Sequence, residues 1–226
     1  KNMSSFEDGA TAYEAEDYEK ALEIWTKTAE AGDLESKYYL GLMYANANGV
    51  EQDFAKALEL FTPAAEDGFV EAEYSMGVLH HVGLGMEPDN AEAAYWYSKA
   101  ADKGHPQAQC NLAGLYETGE GVTRDYVKAV EYYRQSAEQG YVVAVYNLGV
   151  MWENGIGLPA DLQKATHFYQ LAAEAGLAAA QYNLGAITEK DAGEGGNMDQ
   201  ARYWYGKAAE QGHGEAKIQL DLLRKK

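Results

Sequence analysis

The sequence predicts an all-α fold, a solenoid of helix pairs that repeat every 36 residues. Three observations predict it. A short string ending in glycine occurs six times at that spacing. Columns of large and small apolar residues keep the same register. An aspartate or asparagine stands before every second helix.

The string is Ala29-Glu30-Ala31-Gly32. It returns as Ala65-Glu66-Asp67-Gly68, Ala101-Asp102-Lys103-Gly104, Ala137-Glu138-Gln139-Gly140, Ala173-Glu174-Ala175-Gly176 and Ala209-Glu210-Gln211-Gly212. A fixed period of this length is the signature of a repeat architecture, in which each unit buries its apolar face only by stacking on its neighbours. Leu40, Met76, Leu112, Leu148, Leu184 and Leu220 form one column, and Gly41, Gly77, Ala113, Gly149 and Gly185 the next. Ala21, Ala57, Ala93, Ala129, Ala165 and Ala201 form a third, and Ile24, Leu60, Trp96, Tyr132, Phe168 and Trp204 a fourth. Small residues facing large ones are what closely packed helices require.

Within the unit that starts at Gly32, positions 36, 40, 43, 44 and 47 share one side at 100° per residue, which predicts a first helix. It is expected to end at Asn48-Gly49, with glycine in the left-handed conformation. Asp53 then caps a second helix carrying Ala57, Leu60, Phe61 and Ala64, and Gly68 closes it. The capping column reads Asp17, Asp53, Asp89, Asp125, Asp161 and Asn197, all residues whose side-chain oxygens accept orphan backbone N–H groups. The β-prone run Tyr141-Val142-Val143-Ala144-Val145-Tyr146 falls in a first helix by register, which overrides propensity. Pro63 is expected to kink its helix or end it early, whereas Pro106 sits in a first turn, where proline is tolerated. The whole chain, 1–226, reads as one domain: a shortened unit at about 4–31, full units 32–67, 68–103, 104–139, 140–175 and 176–211, and a capping helix 212–226.

The 46% of hydrophobic residues supply a core, and tyrosine (18) far exceeds phenylalanine (5). A formal charge of -18 points away from nucleic acid and anionic membranes and toward a basic partner. With one cysteine, Cys110, no intramolecular disulfide forms, which favours a cytoplasmic protein. No apolar run reaches 18 residues, so insertion into a bilayer is not expected. Lys1 to Phe6 lacks an apolar segment behind its positive residue; a periplasmic or secreted location stays open if a leader was removed.

Ala180-Gln181-Tyr182-Asn183-Leu184-Gly185 and Gly119-Glu120-Gly121-Val122-Thr123-Arg124-Asp125-Tyr126-Val127-Lys128-Ala129, with the pairs Trp96-Tyr97, Tyr132-Tyr133, Phe168-Tyr169 and Trp204-Tyr205, resemble the Sel-one-like repeat family. The likeness runs from about Phe6 onward, and the first unit also resembles a tetratricopeptide helix pair. It implies a right-handed α/α superhelix with the first helices lining a concave side, and a role as adaptor or scaffold. One branch of the family, with a disulfide in each repeat, is linked to penicillin binding and β-lactamase activity. This chain departs from that branch in its single Cys110.

Sites of catalysis are not evident. There is no Gly-x-Ser-x-Gly elbow, His-Glu-x-x-His or Gly-Lys-Ser/Thr phosphate loop. The runs Gly83-Leu84-Gly85-Met86 and Gly193-Glu194-Gly195-Gly196 are turn glycines. His80 falls in a core column, Cys110 replaces a column tyrosine, and the pair Glu117 and Glu120 reads as a solvated face. No metal, cofactor or catalytic residue is expected. The side of the first helices opposite Leu40 is the expected partner-binding face: Tyr38, Tyr74, His81, Asn111, Tyr146, Asn147, Glu153, Tyr182 and Asn183. Tyrosine gives contact area at low entropic cost, and acids select a basic segment. The same tyrosines are equally placed to pack one repeat on the next. The expected function is a monomeric scaffold holding a basic peptide or helical protein partner; the alternative is a hydrolase of the penicillin-recognising kind.

Overall fold

The computed structural model describes residues 5–193 and 197–224. The described residues form helices only, thirteen of them: α1 (Phe6–Glu14), α2 (Tyr18–Glu30), α3 (Leu34–Asn46), α4 (Phe54–Glu66), α5 (Val70–Val82), α6 (Asn90–Asp102), α7 (Pro106–Thr118), α8 (Tyr126–Glu138), α9 (Val142–Asn154), α10 (Leu162–Glu174), α11 (Ala178–Gly193), α12 (Met198–Glu210) and α13 (Gly214–Leu223). The all-α class and the helix-pair period are as the sequence predicts. The chain divides into two compact units, Lys1–Arg124 and Asp125–Lys226. In the first, each of α1 to α7 packs on its predecessor and successor, and α8 to α13 do the same in the second.

Even-numbered helices start where the aspartate column places them. Asp17, Asp53, Asp89, Asp125, Asp161 and Asn197 each accept a backbone N–H of the first turn. Each such cap is worth about 1 kcal/mol. Odd-numbered helices end differently from the expectation. The left-handed cap of α3 is Ala47 (φ 58°), two residues before Gly49. The same column holds Gly83, Gly119 and Gly155, the caps of α5, α7 and α9. In the sixth repeat that column is Asp191, and α11 runs on to Gly193, 16 residues where those three helices have 13. There the chain does not take the left-handed turn, and the helix continues. Of the run Gly193 to Gly196, residues 194–196 lie outside the described residues, as do Lys1 to Ser4 and the last two lysines.

Pro63 does not end its helix: α4 keeps 13 residues to Glu66. The missing N–H costs one bond in the last turn, and the turn is held because Phe61, Ala64 and Ala65 are buried. Pro106 opens α7 at its first position, and the β-prone run lies in α9, both as expected.

The glycine column inside the odd helices is a packing requirement. A Cβ on Gly77 would stand 2.4 Å from the Tyr97 ring. The second loop glycine serves the next contact back along the chain: a Cβ on Gly121 (φ +70°) would lie 2.2 Å from the backbone of Asn90, at the start of α6. The Gly-x-Gly spacing therefore ends one helix and seats the loop on the helix of the preceding repeat.

The two helices of a repeat are also latched by a polar pair. Glu73, 1% exposed, accepts a charged hydrogen bond of 2.7 Å from Lys103 Nζ, which also donates to the Gly68 carbonyl at 2.8 Å. In the second unit Gln181 and Gln211 hold the same places. Gln211 Nε2 donates to Gln181 Oε1 at 2.8 Å and to the Gly176 carbonyl at 2.9 Å.

Candidate functional site

The tyrosine column packs one repeat on the next. Tyr38 is buried between Phe61 and Phe69, with its hydroxyl 3.5 Å from Ser75 Oγ. Tyr74 stacks on His105 at 4.5 Å, and Tyr182 on His213 at 4.8 Å. Tyr146 tilts on Tyr169 and accepts a hydrogen bond from Asn183 Nδ2 at 3.4 Å. His105 and His213 have a second task. Their Nδ1 atoms cap α7 and α13 by accepting the N–H of Ala108 and Ala216, both at 3.3 Å. Desolvation holds the pKa of His105 below its ordinary value, as a neutral cap requires, with Glu71 opposing.

The other expected residues are drawn together by tyrosines of the even helices, which the sequence reading passed over. Tyr169 donates its hydroxyl to Glu153 Oε2 at 2.5 Å, beside the Asn183 amide that donates to Tyr146. Tyr205 donates to Glu189 Oε2 at 2.9 Å. In the first unit the Tyr97 hydroxyl lies 3.4 Å from His81 Nδ1, and Asn111 is the neighbour that opposes the upward shift of its pKa. Asn147 is half-buried and engaged as well. Burial pushes the hydroxyls of Tyr97, Tyr169 and Tyr205 up, and the neighbouring carboxylates add to this for the last two. These phenols are fixed donors, not bases. A signal for the network was present at a spacing of 16 residues: Tyr97 follows His81, Tyr169 follows Glu153, and Tyr205 follows Glu189. Phe61, which has no hydroxyl, follows Ala45.

In the second unit Glu153 and Asn183 line one cavity of about 440 Å³, together with Leu162, Ala186, Ile187, Lys190 and Asp191. In the first unit a cavity of about 370 Å³ is lined by Lys37, Leu40, Tyr44, Lys56 and Leu60, among others. Cys110 is buried. Among the described residues no group of three or more His, Cys, Asp or Glu is placed to hold a metal ion, and no helix is long and apolar enough to cross a membrane. The arrangement offers shape, hydrogen bonds and charge.

The Sel1 repeat matches six consecutive segments, 5–33, 34–69, 70–105, 106–141, 142–177 and 178–213. The chain belongs to the Sel1 repeat family. Proteins of this family are generally protein-interaction scaffolds. The structure is similar to a Sel1 repeat protein from Oxalobacter formigenes, with 29% identity over 97% of this chain and 87% of that one (TM-score 0.88). It is also similar to a protective antigen with an SLR fold present in uropathogenic Escherichia coli strains, at 32% identity and TM-score 0.85. That match covers 96% of this chain but 48% of the antigen, so this Sel1 chain spans about half the antigen's length. An immunity protein from Pseudomonas aeruginosa is 25% identical over 89% of this chain and 74% of that one, with TM-score 0.50. No curated protein matches the chain.

Proposed function

We propose that this Sel1 repeat chain acts by binding, not by turnover, and that it holds a basic peptide or helical segment of a partner protein against its odd-numbered helices. The observation that carries the reading is the cavity in the second unit, where two residues of the expected binding face, Glu153 and Asn183, are held by the hydroxyls of Tyr169 and Tyr146 on a surface open to solvent. A net charge of -18 gives the partner's sign. The likeness to an immunity protein of Pseudomonas aeruginosa supports a protein as the target.

The test is fluorescence anisotropy with labelled basic, neutral and acidic peptides at low and high salt. Basic peptides are expected to bind, to weaken as salt rises, and to lose affinity when exposed acids of odd-numbered helices are reversed (Glu35→Lys, Glu71→Lys, Glu153→Lys). Equal binding of all three classes, or of none, refutes the reading. Tyr38 and Tyr182 are unsuitable probes, because removing them breaks contacts between repeats.

A further inference from the structure

The sixth repeat breaks the pattern of the others at one place. Asp191 occupies the column in which Gly83, Gly119 and Gly155 terminate α5, α7 and α9. Without that left-handed cap, α11 continues to Gly193, so that Asp191 follows Lys190 in the added helical residues. Both residues line the 440 Å³ cavity.

The walls of this cavity differ in character. Leu162, 46% exposed at the start of α10, and Ile187 on α11 are apolar. Glu153 and Asp191 bring carboxylates from the last turns of α9 and α11, where the unpaired helix carbonyls add negative potential. Glu153 is already oriented, since the Tyr169 hydroxyl holds its Oε2. The Asn183 amide adds a polar group that is half-buried beside it. A long apolar stem ending in a cation matches these walls, and arginine matches them better than lysine, because its planar fork spans two carboxylates.

We propose that this cavity is the subsite for an arginine side chain of the bound partner, with its stem on Leu162 and Ile187 and its guanidinium between Glu153 and Asp191. The inference rests on the scaffold reading and adds the residue that the scaffold selects. Lys190, at the same rim, opposes the ligand's charge and so gives the proposal a second sign to predict.

The experiment is a titration of the full chain, isotopically labelled and followed by amide NMR, with the capped tripeptides Gly-Arg-Gly, Gly-norleucine-Gly and Gly-Glu-Gly. The arginine probe is expected to shift the Glu153, Asn183 and Ile187 signals saturably, with the norleucine probe about tenfold weaker and the glutamate probe silent. The variant Glu153→Gln/Asp191→Asn is expected to lose about tenfold for arginine, and Lys190→Gln to gain about twofold to threefold. All three positions are exposed, so the fold is retained and circular dichroism checks it. Equal response to norleucine, no response to arginine, or an arginine response that both variants leave unchanged overturns the proposal. If basic peptides bind in the anisotropy test while these probes fail, the subsite is wrong and the scaffold reading stands; if both fail, both are wrong.

Discussion

Substitution of Lys103 by alanine should destabilise the first unit far more than a surface lysine normally would. Glu73 is 1% exposed, and its Oε1 has Lys103 Nζ as partner at 2.7 Å. Its Oε2 is buried without a hydrogen bond. Removing the ammonium leaves a carboxylate enclosed and unpaired. Breaking a fully buried pair costs roughly 3–5 kcal/mol, and the 40% exposure of the lysine side chain admits some solvent screening, so about 2–3 kcal/mol is expected. The converse change, Glu73→Gln, should be neutral or stabilise by up to about 1 kcal/mol. Gln109 and Gln181, in the same column, show why: their Nε2 atoms donate to the carbonyls of Ala101 and Ala173 at 3.2 and 3.1 Å. A glutamine at 73 places a donor where the carboxylate oxygen finds none, and keeps an acceptor for Lys103. The double variant Glu73→Gln/Lys103→Gln copies the Gln181–Gln211 latch and should recover most of the loss. Urea unfolding followed by far-ultraviolet circular dichroism measures this, with the transition of the unit Lys1–Arg124 fitted separately where two steps appear. A Lys103→Ala loss below about 0.5 kcal/mol, together with a Glu73→Gln loss above about 1 kcal/mol, would show that the buried charge is not what the latch must satisfy.

Two glycine replacements should have opposite signs. Gly206→Ala, inside α12 with nothing within 4 Å of the new Cβ, should raise stability by about 0.5–1 kcal/mol, whereas Gly121→Ala, at φ +70° and 2.2 Å from the Asn90 backbone, should lose more than about 2 kcal/mol in the same unfolding assay. His105 should make the first unit acid-sensitive. Its folded pKa lies below the ordinary 6.5, so its contribution is present above that value and lost as pH falls below it, when the unfolded state takes up the proton first. His105→Asp, the residue that caps α3 as Asp33, should abolish that loss in thermal unfolding measured from pH 7.5 to 5.

The fold was legible because its determinants are local and repeated. An aspartate caps by hydrogen-bonding its own first turn, and a glycine ends a helix through its own φ, so one column of the sequence is enough to place each. Register also placed the β-prone run of α9 correctly. The exceptions came where packing or a neighbouring residue decides. Pro63 is tolerated because Ala64 and Ala65 are buried, and Ala47 takes the left-handed turn one would give to Gly49. The binding face was harder to read. Viewed on one helix, Tyr38 lies opposite Leu40 and looks free. In the array, that side meets the next repeat, where Phe69 and Ser75 cover it.

Relations between the two helices of a repeat were nevertheless written in the sequence, at spacings that a single helix does not suggest. Phe61 goes with Ala45, and Tyr169 with Glu153; Glu73 goes with Lys103, and Gln181 with Gln211. Each of the three polar pairs satisfies one buried or half-buried polar group, so a change at one member demands a matching change at the other. This couples packing to recognition in the second unit. The Tyr169 hydroxyl that ties α10 to α9 also fixes Glu153 at the wall of the cavity, and Tyr146 on α9 holds Asn183 there. A ligand there meets groups whose ordering was completed on folding, so less of the interaction is spent on immobilising them. Tyr169→Phe separates the two roles. It keeps the ring in the core and releases the carboxylate, so it should weaken arginine-probe binding several-fold while costing little helicity, as titration and circular dichroism together would show. Unchanged binding in that variant would mean that Glu153 is held by something other than the hydroxyl.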